Sequence, residues 1–499
     1  MSLAIPWMLA LASAPSLPPE SPAVFAVVVA NNHASPKGED LAPLRYADDD
    51  GARYLELFEL VAEKVFLHTV LDSDSQRVFP EAARVSRPPT RRALERTLAE
   101  TFEGLEAARS AGRRTELYFV FVGHGSVSSG GEGIMHLLDD GFSRSDLFQQ
   151  VIAPSPADRN HVIVDACNAF LFVGGRGSAA ERARVDAAVD QYLARERMAQ
   201  HPNTGFVLST SAAAEVHEWS GFRAGVFSHE VRSALLGGGD VDGDGEVSYR
   251  ELQAFLQAAN LQVEDPKARI RAWVAPPPSW ERAPLFSRAW LTEVTASVRL
   301  GPSMAGRWSL DDERGVRVAD VHLAEDGPVT LLLPGRRSHR LLQEDRQLEL
   351  DPGASPARVV DATQLSPRPL EARARSAMAV TFRRDLFAIP FGRAFLNGYQ
   401  AAWQPPVRLE LEAPPAEADA TLRHWSGGSL LVLGAASVAA GLIAGELAQQ
   451  SADRYRTVTG RPLELQSLRD QARDRELAAN LLVGGGLALL LGGGVVLAW

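Results

Sequence analysis

Read for its apolar and polar positions, the chain changes rhythm twice. From residue 23 to about 275, unbroken apolar runs alternate with stretches of helical spacing. Val24-Phe-Ala-Val-Val-Val-Ala30, Leu117-Tyr-Phe-Val-Phe-Val122 and His161-Val-Ile-Val-Asp165 have the apolar, β-branched character of strands buried on both faces. Residues 65–70 and 205–210 predict two more strands. Between them, residues 50–62 place Tyr54, Leu57 and Leu60 on one helical face, and residues 90–109 do the same with Leu94, Leu98 and Leu105. A polar helix is expected over 179–198. Strands alternating with helices imply an α/β fold, a mostly parallel sheet flanked by helices.

Ala275-Pro-Pro-Pro278 breaks this rhythm and marks a linker. Over residues 288–412 apolar positions recur at period two, as in Val316-Arg-Val-Ala-Asp-Val-His-Leu323, in 329–333 and in 407–412, which predicts a β-rich domain of sandwich type. The rhythm changes again at residues 425–499. Uncharged, Gly- and Ala-rich stretches at 425–445 and 481–499 flank an Arg-rich loop, 446–476. Each stretch approaches the ~20 residues of a spanning helix, and small residues suit close helix packing in lipid. A pair of buried soluble helices is the alternative, disfavoured by the lack of polar residues around the circumference. The loop arginines place that loop in the cytoplasm. Residues 1–14, a short apolar run ending in Ala12-Ser13-Ala14, read as a signal peptide. The expectation is a membrane protein whose larger part is exported to the periplasm, with lipid contacted by a C-terminal transmembrane helical hairpin.

Composition narrows the chemistry. With 45% hydrophobic and 23% charged residues, the 499-residue chain has material for a real core. A net charge of -11 argues against nucleic acid as a partner. One cysteine, Cys167, excludes an intrachain disulfide and leaves no basis for a cysteine zinc site. Gly174-Gly-Arg-Gly177 lacks the residues of a phosphate loop.

In open parallel sheets, functional residues lie just beyond the carboxyl ends of the strands. The strand ending at Val122 runs into Gly123-His124-Gly125, and the strand ending at Val164 runs into Asp165-Ala166-Cys167. A thiolate is a nucleophile, and an imidazole beside it lowers the thiol pKa and returns the proton to a leaving amine. The amides of Gly125 and Cys167 are candidates for an oxyanion hole. The plain alternatives are a buried structural cysteine and a turn histidine. His217, Glu215 and Glu218 are candidates for the wall of a substrate groove or for a solvated loop.

Residues 23–275 resemble the caspase and metacaspase group of cysteine peptidases, through the strand at 24–30, Leu44-Arg-Tyr-Ala-Asp-Asp-Asp50, Gly123-His-Gly125 and Asp165-Ala-Cys167. The resemblance implies a caspase-like fold, a His124–Cys167 dyad, and a protein or peptide substrate cut after a particular P1 side chain. Two metacaspase positions map onto Asp50 and Asp165, which implies Arg or Lys at P1. Arg45 lies near the caspase position for P1 Asp, and Asp48 and Asp49 read as a solvated charge run. Cys167 is followed by Asn168-Ala169, where caspases carry a basic or polar residue and then Gly, and metacaspases usually carry His-Ser-Gly. A catalytically inactive caspase-like binding or signalling module therefore stays open as the alternative. The resembling peptidases are often cut between their two sub-parts, which here would be among the arginines of 176–197.

A second motif is independent of the first. Asp240-Val-Asp-Gly-Asp-Gly-Glu-Val-Ser-Tyr-Arg-Glu251 matches each fixed position of an EF-hand calcium loop. Asp240, Asp242 and Asp244 offer side-chain oxygens, Glu246 its carbonyl, and Glu251 two oxygens. Calcium is the expected ion and a structural clamp the expected role. An acidic turn that binds nothing is the alternative.

Overall fold

The computed structural model describes residues 21–35, 41–128, 132–166, 198–209, 218–263, 269–270, 272–293, 295–343, 346–351, 359–369 and 385–402. The expected signal peptide, the 179–197 helix, Cys167, His217, Glu215 and residues 403–499, with both membrane stretches, lie outside them. Among the described residues, no helix is long and apolar enough to cross a membrane.

A six-stranded sheet forms the centre. Its strands are β1 (Ala23–Asn31), β2 (Lys64–His68), β3 (Thr115–Gly123), β4 (Arg159–Asp165), β5 (Thr204–Ser209) and β6 (Ala272–Ala275), in the order β6-β5-β4-β3-β1-β2. All pairs are parallel except β6 with β5. Every residue of β1 and β3 is buried, as their unbroken apolar character requires. Alternate side chains of β1 feed two cores. Val24, Ala26 and Val28 pack with Tyr54, Phe58, Val231 and Leu252, while Phe25, Val27 and Val29 pack with Leu94, Leu98 and Leu105. The helices supplying those residues are α1 (Ala47–Phe58), α2 (Arg91–Ser110), α3 (Val226–Ser233) and α4 (Tyr249–Asn260). Thr90 caps α2 by accepting from the Ala93 amide at 3.3 Å. Gly51 lets α1 lie on β1, since a Cβ there would stand 2.5 Å from Ala30 Cβ.

The proline run follows β6 directly at the sheet edge, and the described residues up to Ala402 form one compact unit. The β-rich region holds a three-stranded sheet (Ser297–Leu300, Val329–Leu332, Val359–Asp361) and a five-stranded one (Gly306–Asp312, Arg317–Leu323, His339–Gln343, Arg346–Leu350, Arg368–Pro369).

Candidate active site

The chain leaves β1 for β2 on one side and returns with β3 on the other, so the crevice between the carboxyl ends of β1 and β3 is the topological switch point. His124 stands at that crevice. Its neighbour Gly123 is needed for packing: a Cβ there would meet the Asn31 carbonyl oxygen at 2.9 Å. The histidine is buried, and its Nε2 has no hydrogen-bond partner among the described residues. Backbone carbonyls of Ala42 and Asn32 act on the ring, which leaves Nδ1 as the nitrogen facing them. An Nδ1–H held in that way leaves Nε2 with its lone pair. Burial first, then the neighbouring His136, holds the His124 pKa below the usual value. His136 Nδ1 accepts from the Ser35 amide at 3.2 Å, so its Nε2–H donates to Ser126 Oγ at 2.8 Å. Gly125 begins a short strand (Gly125–Val127) and pairs with Met135.

Val122 in β3 lies opposite Asp165 in β4. Position 124 and position 167 each follow one member of that pair by two residues. The register brings the carboxyl ends of β3 and β4 to one end of the sheet.

Beside it lies an acidic pair, Asp50 buried and Asp165 half-buried, the candidate P1 pocket of the sequence reading. Asp50, in the first turn of α1, accepts from the Gly225 amide at 2.7 Å, and Asp165 accepts from the Ser228 amide and hydroxyl at 3.1 and 2.6 Å. A Cβ on Gly225 would stand 3.2 Å from one carboxylate and 3.0 Å from the other, so the two converge on a residue that must stay bare. Asp50 is also paired with Arg232 Nη2 at 2.7 Å and Arg53 Nη1 at 3.7 Å. The Arg232 contact is close but misaligned: none of its three guanidinium nitrogens makes a hydrogen bond among the described residues. Asp165 has no direct ion pair there, and burial first, with Asp50 nearby, pushes its carboxyl up to about 7. Arg53 donates to the carbonyls of Arg223 and Phe222 at 2.6 and 3.2 Å, holding Arg223 at φ 50 just before the pocket backbone.

Asp48 and Asp49 are buried, which corrects their reading as a solvated charge run. Asp48 joins two loops, accepting from Asn32 Nδ2 at 2.8 Å and from the Asp72 amide at 2.9 Å. Burial pushes Asp49 up to about 7. The α1 N-terminus makes three adjacent aspartates tolerable. Arg45 is exposed, and its amide donates to Glu218, which also accepts from Tyr46 at 2.7 Å. Arg232, Ser228 and His136 escaped sequence reading.

At the calcium-loop motif, Asp240, Asp242 and Asp244 place ligand oxygens within 4.8 Å of one another. Asp240 accepts from the amides of Gly243 and Gly245 at 2.9 and 3.2 Å. Gly245 has φ 87, the left-handed turn that position demands. Glu246–Ser248 pairs antiparallel with Pro284–Ser287. The structure therefore brings three aspartates together and leaves Glu246 on the paired strand, with its backbone carbonyl as the offered ligand. Glu251 opens α4 as a capping box: its Oε2 accepts from the Ser248 amide at 2.8 Å. Glu251 Oε1 is buried without a partner among the described residues.

No known family model matches the chain, and no curated protein matches it. Among solved structures, caspase-1 from Spodoptera frugiperda is similar at 13% identity and TM-score 0.33, covering 55% of this chain and 94% of that one. A protein of Geobacter sulfurreducens is similar at 14% and 0.30, covering 53% and 99%. A pro-caspase-1 structure follows at 12% and 0.29, covering 54% and 93%. These overlaps are too loose to assign a family.

Proposed function

We propose that this protein is a cysteine endopeptidase in which Cys167 attacks the scissile carbonyl and His124 handles the proton. The observation that carries the reading is the buried Nε2 of His124 at the sheet's switch point, without a hydrogen-bond partner among the described residues, on the edge to which the register also directs the β4 end. That nitrogen takes the thiol proton as the Cys167 Sγ–carbon bond forms. It returns the proton to the amine nitrogen as the peptide C–N bond breaks. Water then hydrolyses the thioester. The amides of Gly125 and Cys167 hold the developing oxyanion.

The P1 side chain is Arg or Lys in this reading, and Asp165 is its principal partner. Asp50 already carries Arg232 and Arg53, so it acts mainly by fixing the pocket wall. Asp165 has neutral donors alone, and a guanidinium would give it the counter-charge that burial withholds. An electrophilic peptide probe with P1 Arg should label Cys167 in the wild type and lose that labelling in His124→Ala. Equal labelling of a P1 Asp probe would transfer the specificity to the arginines.

A further inference from the structure

The calcium-loop motif and the acidic pocket lie at the two ends of one buried segment, which kinks once, at Gly237. The pocket end of α3 supplies the Gly225 amide to Asp50, the Ser228 amide and hydroxyl to Asp165, and Arg232 to Asp50. From Arg232 the chain continues through a π-helical turn, Ala234–Gly238, with every residue buried, and then reaches Asp240. Gly237, at φ 114, locks that turn against the β-rich region, since a Cβ there would stand 2.1 Å from the Thr330 carbonyl oxygen. His229 and Ser233 fix the segment sideways: His229 Nε2 lies 2.8 Å from Asp320 Oδ2, and the Asp320 amide donates to Ser233 Oγ at 3.1 Å. No loose segment separates the last pocket contact from the first loop carboxylate.

The other helix of the motif is tied to the same segment. Asn260 on α4 donates to both carboxylate oxygens of Glu230 on α3 at 2.8 Å. Glu251, at the start of α4, is 4% exposed, and its Oε1 faces no donor among the described residues. Its carboxyl is pushed up to about 7, first by burial and further by the charges of Asp242 and Asp244. Arg288 Nη2 sits 3.0 Å from Asp240 Oδ2, so a cationic group already occupies one oxygen of the cluster.

We infer, resting on the reading of the Asp50–Asp165 pocket as the P1 site, that a divalent cation bound by Asp240, Asp242, Asp244 and Glu251 sets that pocket through α3. The ion supplies the partner Glu251 Oε1 lacks and draws the start of α4 toward Asp240. Because α3 and α4 are bonded at Glu230–Asn260, that movement fixes the tilt of α3, and with it the donors on the two pocket carboxylates. Substrate and calcium then favour each other's binding, by the reciprocity of linked sites.

The test uses the full-length protein, with calcium alone as the probe. Calorimetry should give one calcium per chain in the wild type and none in Asp242→Ala/Glu251→Ala. Amide exchange followed by mass spectrometry should slow about tenfold or more across residues 223–236 when calcium is added, with no such slowing in the double variant. Glu251→Gln, which keeps the capping geometry, should weaken calcium binding in a protein that still folds. Asp165→Asn should shift calcium affinity at least threefold. Absence of calcium binding in the wild type would overturn the inference. So would calcium protection confined to residues 240–251, with 223–236 unchanged. Loss of turnover on P1 Arg peptides with the exchange effect intact would sink the peptidase reading and leave the coupling standing.

Discussion

The central sheet buries ionisable clusters at both ends, and the two are finished differently. At the amino ends of β3 and β4, Glu116 is bound by Arg159 Nε at 2.9 Å and by His161 Nε2 at 3.0 Å, while His161 Nδ1 lies 2.7 Å from Tyr249 Oη. None of these groups is left without a partner. At the carboxyl ends, Asp49, Asp50, Tyr54, His124, Arg53 and Arg232 each keep at least one buried atom without a hydrogen bond among the described residues, the Asp50–Arg232 ion pair included. Both ends are buried. A buried polar group left unsatisfied costs about 1–3 kcal/mol, and more when charged, so an end built that way is held open for something other than stability. The closed network fastens the sheet, and the open one is the candidate site proposed above.

The largest contrast is in activity. Cys167→Ala or His124→Ala should lower peptide hydrolysis by about 10³-fold or more while leaving the thermal midpoint near wild type. Glu116→Gln should do the reverse. It strands Arg159 beside His161 and should cost about 3–5 kcal/mol of unfolding free energy in urea, with kcat/KM of the folded protein unchanged. Parallel loss of stability in the first pair, or of kcat/KM in the second, would erase the distinction between the two ends.

Next in size is the pocket pair. Asp50→Ala leaves Arg232 and Arg53 buried without their carboxylate and should cost about 3–5 kcal/mol. Asp50→Asn keeps the acceptor for the Gly225 amide and should cost less. If both variants were as stable as the wild type, Asp50 would not be holding the pocket wall.

This open end was only half legible in the sequence. Unbroken apolar runs announced β1, β3 and β4, and strand-end glycines and acids marked where chemistry would gather. The pairing of Asp50 with Asp165 was readable as a resemblance. Arg232 was not, because whether an arginine on a helix faces solvent or a buried carboxylate depends on the neighbouring layer. Asp48 and Asp49 looked like a solvated run for the same reason: local charge density says nothing about a helix N-terminus pressed against two loops. At the closed end, His161 had no partner readable in sequence, since Glu116 and Tyr249 reach it from a neighbouring strand and a distant helix. The pairing of Glu246–Ser248 with Pro284–Ser287 was invisible as well, being long-range.

A smaller effect follows from proton linkage at Asp165. Its folded pKa of about 7 lies above the ordinary aspartate value of 3.8. Between those values the folded chain keeps a proton that the unfolded chain releases, so stability falls as pH rises from about 4 to about 7. Each tenfold difference in proton affinity between the two states is worth about 1.4 kcal/mol. The same ionisation creates the charge that a cationic P1 group needs, so benzamidine binding should tighten as pH rises through about 7. Asp165→Asn should flatten the benzamidine profile and lessen the slope of the stability profile, to which Asp49 and Glu251 also contribute. If the wild-type profiles are already flat there, Asp165 is not the group that sets them.

The smallest effect separates an occupied cluster from an open one at the calcium loop. Arg288 places positive charge 3.0 Å from an Asp240 oxygen, and a divalent ion must bind against it. Two unit charges a few ångströms apart near a surface interact by a few kcal/mol at most, and salt reduces this. Much of it is recovered when a partly exposed arginine swings into solvent. Arg288→Ala should therefore raise calcium affinity severalfold at low salt and less at high salt, as read by calorimetry at two ionic strengths. Arg393 provides the control. It binds the loop through the carbonyls of Val241 and Asp242, at 3.1 and 2.7 Å, with no carboxylate involved. Arg393→Ala should loosen the loop and lower calcium affinity. Equal shifts in one direction from both variants would mean that the arginines act on loop order alone, and that Arg288 is no competitor for the ion.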